Sequence, residues 1–315
     1  MEYVDGKHSG NPAAVMYEAT QTALKTGYRI FDCAEMYDST DYVGKAFGES
    51  MKSGQVKREE LFIITKLKGL PSGEDYQMLK IRLQEHLAKL QIEHADLILI
   101  HWPGPSATDL SQPRDTLTTE CSWDYFDANI DKAWKNMQQL KQDGLASEIG
   151  VANFYPQHLD RLCEGTQVRP FANQIFMDMT HQETEFAKKM LEDGIRPIAY
   201  RPTAYLPVAQ MANAMGDTTW AVLEAAQCEL DHIQSVHGFV LRWFLSQGIL
   251  PLVKSSNEDH CMANFSCCCD AGKRELSEAV MADLRKVDGS ELVTMCGGTD
   301  EVAMVFKGMT CSSRA

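Results

Sequence analysis

Seven short apolar runs, set apart by helical stretches, constrain this chain more than any other feature. They are RIFDCA (29–34), LFIITKL (61–67), ADLILIH (95–101), SEIGVANF (147–154), ANQIFM (172–177), RPIAYR (196–201) and ILPLVK (249–254). Each is brief, rich in Ile, Leu, Val and Phe, and poor in polar–apolar alternation. Strands covered on both faces have this pattern. The intervening stretches show helical periodicity. Residues 13–27 place Val15, Ala19, Ala23 and Leu24 on one stripe and end at Gly27. Residues 74–91 carry Leu79, Leu83, Leu87 and Leu90, and residues 131–144 and 183–194 each close on Gly. A glycine past the last periodic residue is a common helix stop.

Alternating strands and helices imply right-handed βαβ units around a parallel sheet. The sheet is either a closed barrel or an open, doubly wound one. A doubly wound dinucleotide binder carries G-x-G-x-x-G after its first strand, and a phosphate loop carries G-x-x-x-x-G-K-[ST]. Neither occurs here. The fold is therefore read as α/β, a (β/α)8 TIM barrel, with residues 1–315 as one domain. Its first strand is truncated or built from residues 1–6. Residues 103–128 read as a long loop at the barrel mouth, and loops of that length are usually functional. Residues 265–315 form a divergent C-terminal tail.

Charge and cysteine usage narrow the function classes. Thirty basic against 44 acidic residues give a formal net charge of −14. Nucleic acid and anionic membrane surfaces, both polyanions, are poor partners for such a chain. No stretch approaches the ~18 apolar residues of a membrane span. Ten Cys occur without any C-x-x-C, and the first dozen residues lack an export signal, so reduced thiols in the cytoplasm are expected. Cys267, Cys268 and Cys269 read as packing or surface thiols. No metal-ligand spacing such as H-E-x-x-H is present, and no metal site is expected.

Barrel active sites sit at the C-terminal ends of strands. The first run gives Asp32, with Tyr37 five residues on; the second ends near Lys66 and the third in His101. Lys66 and His101 close strongly apolar runs, where a charge must be paired to be tolerated. A free phenol, at pKa ~10, is a weak acid near neutrality. A neighbouring ammonium favours the phenolate, a carboxylate holds that ammonium, and an imidazole can orient a carbonyl oxygen. Such a site protonates a carbonyl oxygen as hydride reaches its carbon.

Four segments carry a resemblance to a known family. GYRIFDCAEMYDS (27–39), LILIHWPG (97–104), DGLASEIGVANF (143–154) and LVKSSNEDHCMAN (252–264) resemble, in order, four motifs of the aldo-keto reductases. The resemblance runs from Ala13 to about Phe265. It implies Tyr37 as general acid, Asp32 and Lys66 as its tuning pair, and His101 as the group orienting the substrate carbonyl. It implies NADPH as cofactor. Asn153 and Gln174 would meet the nicotinamide carboxamide, and Tyr200 would stack on the ring. Lys254 and Ser255 would hold the 2′-phosphate, and Asn264 the adenine. Trp102, Trp123, Tyr125 and Phe126 would line the pocket for a small carbonyl substrate, in a monomer.

The departures from the family pattern also carry meaning. His260 stands where the family has Arg, so the rigid bidentate phosphate clamp is missing and NADH becomes possible. Ala152 replaces a Ser, and Arg201 follows Tyr200 where Ser is common, within reach of a pyrophosphate. These changes motivate a second reading, a cofactor-binding scaffold or sensor with weak or no turnover.

Overall fold

The computed structural model of the chain describes residues 12–73, 75–104, 123–206, 219–228, 235–269, 277–287 and 303–305. Seven parallel strands appear in chain order: β1 (Ile30–Asp32), β2 (Phe62–Leu67), β3 (Ala95–Ile100), β4 (Ala146–Ala152), β5 (Ala172–Phe176), β6 (Arg196–Tyr200) and β7 (Leu250–Leu252). Each falls within one of the seven apolar runs or starts one residue before it. The helices are α1 (Pro12–Thr26), α2 (Thr40–Lys52), α3 (Tyr76–Lys89), α4 (Trp123–Gln142), α5 (Pro156–Glu164), α6 (Thr184–Glu192), α7 (Thr219–Cys228), α8 (Val236–Ser246), α9 (Glu258–Cys269) and α10 (Glu278–Val287).

The parity of each strand divides its side chains between two cores. Ile64, Leu97, Leu99, Ala152, Ala172, Ile198 and Leu252 form a small cluster, with Ile30, Phe62, Phe171, Tyr200 and Leu250 packed on it. These are alternate residues of successive strands, so they fill the barrel interior. The other parity, including Phe31, Ile63, Ile98, Ile100, Ile149, Val151, Ile175 and Ala199, packs under the helices in the larger core. Gly150 belongs to the inward set. A Cβ there would lie 2.5 Å from the Ala172 carbonyl oxygen and 2.8 Å from a Leu99 methyl, so only glycine fits between β3 and β5.

Local signals start and stop the helices. Asp75 accepts a hydrogen bond from the Gln77 N–H at 2.8 Å and caps α3. Ser235 does the same for α8 through Gly238 N–H at 3.0 Å. Pro156 opens α5. Gly27 ends the turn after α1 at φ 116°, and a Cβ there would meet Phe265 of α9 at 2.8 Å. Cys267 and Cys268 are buried in the same layer, where Cys267 Sγ occupies the space a side chain on Gly238 would need. They are packing thiols.

Two features differ from the sequence expectation. The loop assigned to residues 103–128 is shorter than that, because α4 begins at Trp123. Phe126, Ile130, Ala133, Trp134, Met137 and Leu140 are buried on one face at helical spacing, and that burial pulls the residues from 123 onward into the helix. The closing strand also comes from an unexpected place. Residues 1–6 lie outside the described residues. The outer edge of β1 is instead paired by β8 (Ala303–Val305), which runs antiparallel with Asp32 opposite Ala303. β8 also lies beside β7, so it stands in the gap between the first and last parallel strands.

Candidate active site

The site is the upper end of the inward-facing parity. Below it the barrel is filled by aliphatic side chains; above it the same rows present Asp32, Lys66, Gln174 and Tyr200, with His101 directly after β3. Asp32 and Lys66 are 2% and 1% exposed, too little for either to remain charged alone. They form a buried ion pair through Lys66 Nζ and Asp32 Oδ2. The same Nζ donates to the Tyr37 hydroxyl and to the Cys33 carbonyl, both at 3.3 Å. It also sits 5.1 Å from the centre of the Tyr37 ring. One ammonium thus ties the carboxylate to the phenol.

His101 stands edge-on to Tyr37, ring centres 6.0 Å apart at 82°. Trp102 stacks on the His101 ring at 5.8 Å and 16°. Tyr37, His101 and Trp102 are each partly exposed. Burial and the Asp32 charge push the neighbouring Cys33 thiol far up, leaving it protonated and inert. Glu35, two residues before Tyr37, fastens the loop in place. Its carboxylate accepts from the Lys68 N–H at 3.1 Å and pairs with Arg82, and its own N–H donates to the Lys66 carbonyl at 3.1 Å. Burial raises its pKa.

The rim above β4, β5 and β6 is held by amide groups. Asn153 has φ 62°, a left-handed conformation that Asn tolerates better than most residues. Its Nδ2 donates to the His101 carbonyl at 2.8 Å, and its Oδ1 accepts from the Tyr200 hydroxyl at 3.0 Å. Gln174 Nε2 donates to Asp32 Oδ1 at 2.9 Å. Arg201, directly after β6, is also left-handed at φ 58°. Asn153 and Arg201 thus close β4 and β6, on either side of β5, in the same sparsely populated backbone region.

Lys254, Ser255, His260 and Asn264 follow β7 on the loop and helix next to the rim. Lys254 and His260 are exposed; Ser255 and Asn264 are half-buried. Ser255 Oγ bonds the N–H and carbonyl of Asn257, at 3.0 and 3.2 Å. Glu258 and Asp259 occupy the first turn of α9, where negative charge opposes an incoming anion. His237 lies on the surface of α8. Partial desolvation and then repulsion from His260 hold its pKa below the usual imidazole range, so it is a near neighbour of His260. That proximity arises between α8 and α9, and no spacing in the chain announces it.

The expected pocket aromatics separate. Trp123 is 43% exposed, Tyr125 half-buried, and Phe126 wholly buried. Phe126 packs on Phe154 at 5.5 Å and on His158 at 4.8 Å, and so backs the wall rather than facing it. A nicotinamide cofactor suits the remainder. The carboxamide needs a donor and an acceptor, which the amides of Asn153 and Gln174 at the rim could offer. The ring needs a flat face, which Tyr200 beside Phe176 could offer. Among the described residues no cluster of His, Cys, Asp and Glu could hold a metal ion.

The fold is that of one family. Residues 3–288 match the model of the Aldo/keto reductase family, and the chain belongs to it. It is an oxidoreductase of the carbonyl–alcohol couple. It is 31% identical over 254 residues to aldo-keto reductase AKR2E4 of Bombyx mori, covering 79% of this chain and 75% of that protein. It is 30% identical to methylglyoxal reductase DkgA of Escherichia coli O157:H7, covering 86% and 83%. The solved structure of the Bombyx mori AKR2E4 enzyme in complex with NADP superposes with a TM-score of 0.73 at 28% identity, covering 90% of this chain and 86% of that one.

Proposed function

We propose that the protein reduces a small aldehyde or ketone to the alcohol with NADPH, using Tyr37 as general acid. The observation that carries this reading is the single Lys66 ammonium in contact with both Asp32 and the Tyr37 hydroxyl. The bound nicotinamide supplies the hydride. The chain's own residues do the rest. Lys66 favours the phenolate and so eases release of the Tyr37 proton to the carbonyl oxygen; in alcohol oxidation the phenolate takes that proton back. His101, set edge-on to Tyr37, orients the oxygen. Trp102 and the exposed part of Trp123, with Tyr125, wall the pocket, and Phe126 supports them.

Asn153 and Gln174 hold the carboxamide and Tyr200 the ring face. Arg201, Lys254, Ser255 and His260 take the phosphates, and Asn264 the adenine. His260 lacks the fixed fork of an Arg, so NADH is accepted beside NADPH. The six free thiols among the described residues suit a reducing, cytoplasmic setting for a monomer that binds neither nucleic acid nor membrane.

Purified protein should oxidise NADPH with a panel of small carbonyls, methylglyoxal and an aromatic aldehyde among them. Tyr37→Phe should lower turnover by at least two orders of magnitude and leave cofactor affinity within about threefold. A second reading is a cofactor-binding scaffold with weak or no turnover, motivated by the altered clamp position His260 and by Arg201 after Tyr200. Fluorescence titration with NADPH and NADH beside the carbonyl panel separates the two. Tight binding without turnover selects the scaffold, and no binding of either nucleotide removes both.

A further inference from the structure

Gln174 touches the proton-transfer machinery directly. Its Nε2 donates to Asp32 Oδ1, while Lys66 takes Oδ2 of the same carboxylate. Gln174 and Asp32 are 3% and 2% exposed, and 142 positions separate them in the chain. The bond spans the barrel interior from β5 to β1. A primary amide has a second N–H and a carbonyl oxygen beyond the group bonded to Asp32.

We infer that Gln174 is a positioning residue for proton transfer. By donating to Asp32 it fixes the carboxylate that holds Lys66 against Tyr37, and it joins the proton relay to the nicotinamide side of the site. This inference rests on the proposed reading of Tyr37 as acid and base. Without the amide N–H, Asp32 keeps more uncompensated negative charge or passes it on by taking the Lys66 proton. Either change disfavours the Tyr37 phenolate, so the two effects have the same sign. Among the described residues, the titratable groups around Tyr37 include Asp32 and Cys33 from β1 and the loop after it, Lys66 from β2 and His101 after β3. A substitution at position 174 removes none of these groups and acts on Tyr37 through Asp32 and Lys66.

The test uses two variants. Gln174→Met removes the donor at similar length. Gln174→Leu removes the donor with a shorter, branched apolar side chain. Ionisation of Tyr37 in the cofactor-free protein is read as the difference in absorbance near 295 nm between each chain and its Tyr37→Phe counterpart. The expected result is an ionisation midpoint raised by about 0.5 to 1 pH unit in both variants. The rising limb of kcat for alcohol oxidation should move by the same amount. Unmoved midpoints with weaker NADP binding alone would make Gln174 a cofactor contact and overturn the inference. If the Met variant fails to fold, the Leu variant decides by the same measurement. Failure of the wild-type chain to turn over any carbonyl would remove the proposed function; the cofactor-free titration would still decide the role of Gln174.

Discussion

Thr65 and Lys66 are neighbours on β2 that face opposite ways, and the difference decides what each must bond. Lys66 points into the barrel and needs Asp32. Thr65 points under the helices and meets His86 of α3, with Oγ1 and Nε2 2.7 Å apart. Burial, helped by Lys89 and Arg82, pushes the His86 pKa down to about 4. The unfolded chain takes up that proton near pH 6.5. Between those values the unfolded state holds more protons, so stability falls as pH drops from about 6.5 to about 4 and changes little from this source above 7. The loss is on the order of 3 kcal/mol. His86→Gln, which keeps a group able to bond Thr65, should flatten that limb in urea unfolding measured from pH 7.5 to 4; an unchanged limb would place the acid sensitivity elsewhere. Such outward pairs are hard to foresee, whereas the inward row was legible. Asp32, Lys66 and His101 end apolar runs, and a charge at the end of a buried strand needs a reason to be there. The partners of Asn153 and Gln174 were not legible, because His101 and Asp32 lie 52 and 142 positions away and only closure of the barrel brings them together.

At the scale of elements, strands were easier to read than the segments that join or close them. A doubly covered parallel strand has a composition of its own, and all seven runs became strands. The start of α4 was misplaced because Trp123, Tyr125 and Phe126 resemble a loop's binding aromatics until the burial of Phe126 and Ile130 is known. The origin of β8 was equally hidden. It is three residues long, and its place is set by an unpaired edge on β1 that no local pattern reports. A chain ended after Val287 keeps every parallel strand and bares that edge. It should unfold several degrees lower, and the amides of Ile30–Asp32 should exchange with solvent at least tenfold faster than in the full chain. Unaltered exchange there would show that β8 adds nothing to the barrel's closure.

Over the whole molecule the net charge of −14 opposes an anionic dinucleotide. Lys254 and His260 are exposed, with Glu258 and Asp259 beside them. Long-range repulsion is screened within about 10 Å at 0.1 M salt. Association of NADPH should therefore quicken roughly threefold between 20 and 200 mM salt in stopped-flow fluorescence. A rate that slows instead would show that the local patch outweighs the global field. The barrel also has a history in time. β8 follows all seven parallel strands in the sequence, so a ribosome makes it last. About 50 residues separate Leu252 from Ala303, which is roughly 3–10 s of synthesis. During that interval β1, which carries Asp32, is the open edge of the nascent sheet. A chaperone or a stray strand that caps β1 in those seconds competes with the chain's own last segment.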